Sequence, residues 1–210
     1  MSGLFITMEG TDGSGKTTQI KLLSDYLEKA GYDVVCTREP GGTKIGEKIR
    51  NILIDAENKN MNDITEMFLY SAARAQLVKE VIIPKMNGGG IVISDRFVDS
   101  SIVYQGIARE IGEKEVKSVN KYAVGNLLPD ITFLLELDFE KGIERKRQQS
   151  KLDRIEGENL YFHKKVFYGY KKIASKNSQR IKVIDASLSE NEIHKIIVEN
   201  VNSLINGRSF

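Results

Sequence analysis

The chain has 210 residues, 40% of them apolar, and its 31 basic side chains nearly balance 29 acidic ones for a formal charge of +2. That length suits one domain with an ordinary packed core, and so small a charge gives no reason to expect nucleic acid or a membrane surface as partner. A single cysteine, Cys36, and two distant histidines, His163 and His194, leave no disulfide framework and argue against a zinc site.

The apolar run Leu4-Phe5-Ile6-Thr7-Met8 reads as a buried strand. Lys16 to Ala30 reads as a helix with Ile20, Leu22, Leu23, Tyr26 and Leu27 on one face. Between them stands Gly10-Thr11-Asp12-Gly13-Ser14-Gly15-Lys16-Thr17, the G-x-x-x-x-G-K-T pattern of a phosphate-binding loop. Its glycines let successive backbone N–H groups converge on phosphate oxygens, and the helix N-terminus adds partial positive charge. Gly10 to Thr18 is therefore the expected triphosphate-binding segment. Lys16 reaches the β- and γ-phosphates in this pattern, and the Thr17 hydroxyl binds Mg²⁺.

Tyr32 to Thr37 follows as a second strand, with Cys36 expected to be a buried core thiol. The cluster Thr37-Arg38-Glu39-Pro40-Gly41-Gly42-Thr43 leaves its end. Asn62 to Met86 reads as one long helix, with Pro84 near its end and Gly88-Gly89-Gly90 terminating it. Ile91 to Ser94 is a short apolar strand ending at Asp95. A carboxylate there is the one that steadies Mg²⁺ in phosphate-loop enzymes, and the adjacent Arg96 can hold phosphate in a bidentate fork. Lys114 to Val124 is helical, Ile131 to Leu137 a strand and Phe139 to Gln149 a helix. Arg145, Lys146, Arg147, Lys151 and Arg154 form a basic run that reads either as a solvated face or as a lid closing over the triphosphate. Asn159 to Ser175 is a helix and Ile181 to Ile184 a last strand. Ser189 to Ile205 closes the chain as an amphipathic helix, with Ser189 as N-cap and Glu192 at N3.

Five apolar strands separated by helices imply an α/β fold, a parallel sheet covered on both faces. Ligands then bind beyond the carboxyl ends of the strands, where the motifs above fall. No apolar run approaches membrane-spanning length and the N-terminus lacks a secretory pattern, so a cytoplasmic protein is expected.

Taken together the motifs resemble the bacterial thymidylate kinases, nearly end to end. The matching segments are Glu9 to Thr18, the T-R-E-P-G-G-T run with Gly46 and Arg50, Ala72-Ala73-Arg74, Asp95-Arg96-Phe97, Ser100 to Gly106, and Asp153 to Glu156. The resemblance implies the P-loop fold of nucleoside monophosphate kinases, with a five-stranded parallel sheet flanked by helices. It implies a single kinase domain over 1–210 with a mobile lid at about 145–157. It also implies phosphoryl transfer from Mg·ATP to dTMP, and a homodimer built through helices.

Residue roles follow from the same resemblance. Arg74 matches the arginine that hydrogen-bonds the thymine carbonyl, and Tyr70, one turn earlier, the ring that stacks on the base. Ser101 and Gln105 fall at the pyrimidine edge, and Tyr104 crowds the ribose 2′ position. Arg50 and Arg96 grip the acceptor phosphate. Asp12 lies near the sugar 3′-hydroxyl, with Glu39 joining it around metal or sugar. Thr17 and Asp95 hold the metal; Lys16, Asp95, Arg96, Arg147 and Arg154 serve catalysis. Gly13, where some members carry arginine, assigns the chain to the variant with a basic lid, in which Arg147 and Arg154 contact ATP and Arg145 and Lys151 are substitutes. Phe97 departs from the usual tyrosine, and Asp12 from the commoner glutamate.

Two rival readings stand beside this one. A deoxynucleoside kinase would need a base for its neutral hydroxyl acceptor, and Glu39 could serve, but Arg50 and Arg96 would be wasted on an uncharged sugar. A guanine-nucleotide switch would need N-K-x-D, and neither Asn58-Lys59 nor Asn120-Lys121 has the aspartate two residues on.

Overall fold

The computed structural model describes residues 3–147 and 153–207. Among them five strands form one sheet: β1 (Leu4–Glu9), β2 (Val34–Arg38), β3 (Ile91–Asp95), β4 (Ile131–Glu136) and β5 (Ile181–Asp185). Their order is β2-β3-β1-β4-β5 and every pair is parallel. Early crossovers carry the chain to one side of β1 and later ones to the other. The order therefore switches at β1, the strand that feeds the phosphate loop.

Alternation along β1 divides the core. Leu4, Ile6 and Met8 face one layer, where they meet Leu23 and Leu27 of α1 (Lys16–Lys29) and Ile193 and Ile197 of α9 (Glu190–Asn206). Phe5 faces the other layer, edge to face with Phe97 at 4.9 Å between ring centroids. That second layer holds α3 (Asp63–Leu77), α4 (Ile83–Asn87), α5 (Val98–Ser101), α6 (Glu113–Val124) and α8 (Leu160–Lys176). α2 (Lys44–Ile54) lies against α3, and α7 (Phe139–Arg147) follows β4. No helix of the described residues is long and apolar enough to cross a membrane.

Local signals fix the helix starts. Thr43 accepts from the Gly46 N–H, Asn62 from Ile64 and Asn159 from Phe162, each meeting a backbone donor that the first turn leaves unpaired. At Ser189 the expected capping box with Glu192 is complete.

The differences from the sequence reading have physical causes. The long helix expected over 62–86 is divided by a π-helical stretch at Val78–Ile82, and Pro84, which lacks an N–H, sits in the first turn of α4 directly after it. α2 and the helical stretch from Val98 through the π-helical Ile102–Ala108 were not expected. Cys36 is exposed rather than buried, because β2 is an edge strand covered less fully than its neighbours.

Candidate active site

One open cavity of about 420 Å³ lies beyond the carboxyl ends of β1, β2 and β3. Its walls combine the phosphate loop, the turn after β2, the turn after β3 and the segment after α7.

The phosphate loop forms one end. Lys16 is buried, and its Nζ donates to the carbonyls of Gly10 (3.1 Å) and Thr11 (2.9 Å), which leaves one of three ammonium N–H groups for a ligand. Burial lowers the Lys16 pKa, and the nearby Arg96 cation adds to the shift. Gly15 caps α1 in the left-handed region (φ 93°). At Gly13 (φ 75°) an added Cβ would stand 2.6 Å from the Gly142 carbonyl oxygen of α7, while a Cβ at Gly142 would stand 2.6 Å from the Asp12 oxygen. Two glycines thus let α7 press directly on the loop, and the absence of a side chain at position 13 follows from that contact.

Three buried oxygens around the loop have no hydrogen-bond partner among the described residues: Thr11 Oγ1, Ser14 Oγ and Asp95 Oδ1. Buried polar atoms are rarely left so. Asp95 and the exposed Thr17 both line the cavity, and they supply hard oxygen donors of the kind Mg²⁺ takes. The residues therefore fit a magnesium ion arriving with a nucleotide.

Arg96 forms the floor. It is a non-glycine residue in the left-handed region (φ 71°), held there by its N–H on the Met8 carbonyl at 2.9 Å. Its Nη1 donates to Gly10 O (2.9 Å), Tyr170 Oη (2.9 Å) and Ser100 Oγ (3.3 Å), and its Nη2 to Asp12 Oδ1 (2.7 Å). The guanidinium lies over the Tyr104 ring at 5.3 Å. Beneath it is Glu9, a carboxylate the sequence reading left without a role. Glu9 accepts from Phe97 N–H (2.8 Å), Ser100 Oγ (2.6 Å) and Tyr170 Oη (2.9 Å). Burial, reinforced by the Asp99 carboxylate, raises its pKa to about 7.

The far end is lined by Arg50, Tyr70, Ser101, Tyr104 and Gln105. Arg50 Nη1 is parked on the Pro40 carbonyl at 3.0 Å. Tyr70, half-buried on α3, keeps its phenol well above the usual range because burial and the Glu66 charge oppose ionisation. Gln105 Nε2 donates to Glu66 Oε1 at 2.9 Å.

Two expectations change here. Arg74 does not line the cavity. Its Nε donates to both oxygens of Glu39, its Nη1 to Ser101 Oγ (3.0 Å) and Asn120 Oδ1 (2.6 Å), and its Nη2 to Glu39 and the Phe97 carbonyl. All five of its N–H groups are thus engaged by protein, so Arg74 stands behind Ser101 in this structure. Glu39, which lines the cavity, is held in that ion pair and is no free base; burial raises its pKa against the pull of Arg74. Arg154 is likewise turned inward. Its Nε donates to Leu53 O at 2.7 Å and its Nη2 is 2.7 Å from Glu66 Oε2, so an arginine expected to reach the triphosphate instead pairs beneath α3. Arg145 and Arg147 fall at the end of α7 with their side chains outside what is described, and Lys151 lies outside the described residues.

Comparison with known proteins gives consistent matches. The family model described as thymidylate kinase matches residues 8–197. The thymidylate kinase of Caldanaerobacter subterraneus is 49% identical over 207 residues, covering 99% of each chain. That of a Geobacillus species is 44% identical over 210 residues, covering 99% of this chain and all of its own. The crystal structure of thymidylate kinase from Ehrlichia chaffeensis superposes with a TM-score of 0.78 at 34% identity, covering 95% of this chain and 98% of its own.

Proposed function

Since the chain belongs to the thymidylate kinase family and is a phosphotransferase acting on dTMP, we propose that the phosphoryl group moves within one cavity from ATP on Gly10–Thr18 to a monophosphate held at the other end. The observation that carries this is that the phosphate loop and the two arginines Arg50 and Arg96 line one cavity. Two phosphate-bearing substrates placed there repel each other unless cations lie between them, and Arg96 lies between.

The acceptor oxygen is already anionic at neutral pH. It attacks the γ-phosphorus, the bond to the β-phosphate oxygen breaks, and the products are dTDP and ADP. No base is required, which agrees with a Glu39 held by Arg74. Catalysis is then orientation and charge neutralisation. Lys16 keeps one N–H toward the transferring group, and Arg96 neutralises the acceptor phosphate. Tyr70 stacks on the base, Tyr104 closes the sugar end, and Ser101 and Gln105 meet the pyrimidine edge. Arg74 and Glu39 act from behind this wall. Thr17 and Asp95 would hold Mg²⁺, which would supply neutralisation of the triphosphate charge.

Asp153, Ile155 and Glu156 line the cavity, and residues 148–152 of the lid expected at about 145–157, with the Arg147 side chain, lie outside what is described. Exposed Ile64 and Phe68 on α3, with Ile45 and Ile52 on α2, support a helix-mediated homodimer, and light scattering at the dimer mass is the expected result. The family setting points to the cytoplasm.

The test of the acceptor end is Arg50→Ala. The KM for dTMP should rise at least about tenfold while the KM for ATP moves less than about threefold, since a charge-assisted phosphate contact contributes roughly 1.5–3 kcal/mol. Equal rises in both would remove Arg50 from the acceptor site.

A further inference from the structure

A cavity wall recognises a heterocycle by which groups it offers as donors and which as acceptors. An amide can offer either, and a hydroxyl can offer both, so something must choose. At Gln105 the choice is made from behind. Glu66 is buried on α3, and its carboxylate can only accept. Its Oε1 takes the Gln105 Nε2 at 2.9 Å, and Arg109 and Arg154 hold the carboxylate in place, each with Nη2 near Oε2 (3.1 and 2.7 Å). Arg109 is fixed in turn by Glu158 at 2.6 Å and by the Phe162 ring at 4.5 Å. With Nε2 turned to Glu66 and one of its N–H groups committed there, Gln105 presents its carbonyl Oε1 as the acceptor for the cavity it lines, and that oxygen accepts no hydrogen bond among the described residues.

Ser101 is set in the opposite sense. Its Oγ accepts from Arg74 Nη1 at 3.0 Å, so its hydroxyl hydrogen is left to give, beside one remaining lone pair. The wall therefore reads donor at Ser101 and acceptor at Gln105. A thymine or uracil edge offers a carbonyl oxygen beside an N3–H, which matches. A cytosine edge offers an amino group beside a bare N3, which mismatches at Gln105, where acceptor would face acceptor.

We infer that Glu66 is a specificity-determining positioning residue: by locking the amide of Gln105 it makes the pocket take pyrimidines with an N3–H and reject those without one. This rests on the reading that Gln105 meets the base edge. Glu66 touches no substrate and acts only through Gln105.

Glu66→Gln tests it. Arg109 Nη2 donates to Oε2 at 3.1 Å and the Arg154 Nη2 cation stands 2.7 Å from it, whereas Oε1 meets only the longer Arg109 Nε contact at 3.3 Å besides Gln105, so the new carbonyl oxygen takes the Oε2 place and the new NH₂ faces Gln105. Gln105 then turns over and shows its own NH₂ to the cavity. The ratio of kcat/KM for dTMP to that for dCMP should fall at least about tenfold, since one mispaired buried polar contact is worth that much. Glu66→Asp, which can still only accept, should hold the ratio within about threefold of the native value. A merely structural role would lower both substrates together and leave the ratio unchanged.

Gln105→Ala separates the two levels. If it leaves the dTMP KM unchanged, the reading of Gln105 at the base edge fails and this inference falls with it. If it raises the dTMP KM but Glu66→Gln leaves the ratio within about threefold, or Glu66→Asp lowers it as far, only the role of Glu66 is overturned. Should Glu66→Gln be too unstable to assay, Glu66→Gln with Arg154→Met removes one of the two buried cations as well. Measured against Arg154→Met alone, that pair must show the same fall in ratio, or the inference fails.

Discussion

At the scale of single residues, chemistry and stability are set by charges buried under the cavity. Lys16 is the clearest case for chemistry. Its removal takes away the cation nearest the transferring group, and Lys16→Ala should lower kcat by a factor on the order of a hundred or more while the protein melts normally; unchanged turnover in steady-state assays would remove it from the site. Glu9 is the clearest case for stability. Its folded pKa is raised to about 7 from an ordinary 4.5, by burial first and by Asp99 second. Between those values the folded state holds the proton more tightly than the unfolded chain does, so the contribution of this group to stability falls as pH rises through the window. Melting curves of Glu9→Gln should accordingly lose part of the native decline between about pH 5 and pH 7, whereas an identical slope in both proteins would show that Glu9 does not titrate there. Lys16, Asp95 and Arg96 were legible in the sequence because each belongs to a local pattern at a strand end. Glu9 and Glu66 were not. Glu9 ends β1 directly before the phosphate loop, but its partners Ser100 and Tyr170 are 91 and 161 residues away. No spacing rule reports such a contact, and the same distance hid the true partners of Arg74 and Arg154.

At the scale of elements, the contact of α7 with the phosphate loop has the most direct consequence. The loop keeps its shape because Gly13 and Gly142 allow backbone to meet backbone. Gly142→Ala places a Cβ 2.6 Å from the Asp12 oxygen, and backbone there cannot yield cheaply. The variant should lose about 1–3 kcal/mol in denaturant melts. Its KM for ATP should rise more than its KM for dTMP. A loss of stability with both KM values unchanged would mean that α7 does not shape the loop. The central strands β1, β3 and β4 were read well because each is a buried apolar run of a parallel sheet, and the partly exposed edge strands β2 and β5 were read from shorter apolar stretches, with ends misplaced by one or two residues. Of the two helical stretches that were missed, α2 had a usable signal: Thr43 as cap, then Ile45, Ile49, Ile52 and Leu53 at helical spacing. The segment after Asp95 lacked one. Val98, Ile102 and Val103 are β-branched and suit a strand as well, and packing against α6 and α8 decides for helix.

At the scale of the whole molecule, the sheet separates structure from function. One face is closed by α1 and α9 around an apolar cluster, and the chemistry lies beyond the strand ends. Ile197 on α9 is fully buried in that cluster and distant in the fold from the cavity lining. Ile197→Ala should therefore cost about 2–4 kcal/mol of stability with kcat/KM for dTMP within about twofold of native; a large fall in folded-state activity would show that the two regions are coupled. The parallel five-stranded architecture was legible from strand and helix alternation alone, and the polarity of the acceptor wall was not, because it depends on which buried charge stands behind each side chain. The central claim is that the far end of the cavity is built for a phosphate-bearing acceptor. It is tested most directly by ADP release from Mg·ATP with dTMP, dUMP, thymidine or no acceptor, run in parallel. Turnover with dTMP well above thymidine and the blank is the predicted result. Turnover with thymidine and not with dTMP would contradict it, and would require Glu39 to leave Arg74 and act as a base.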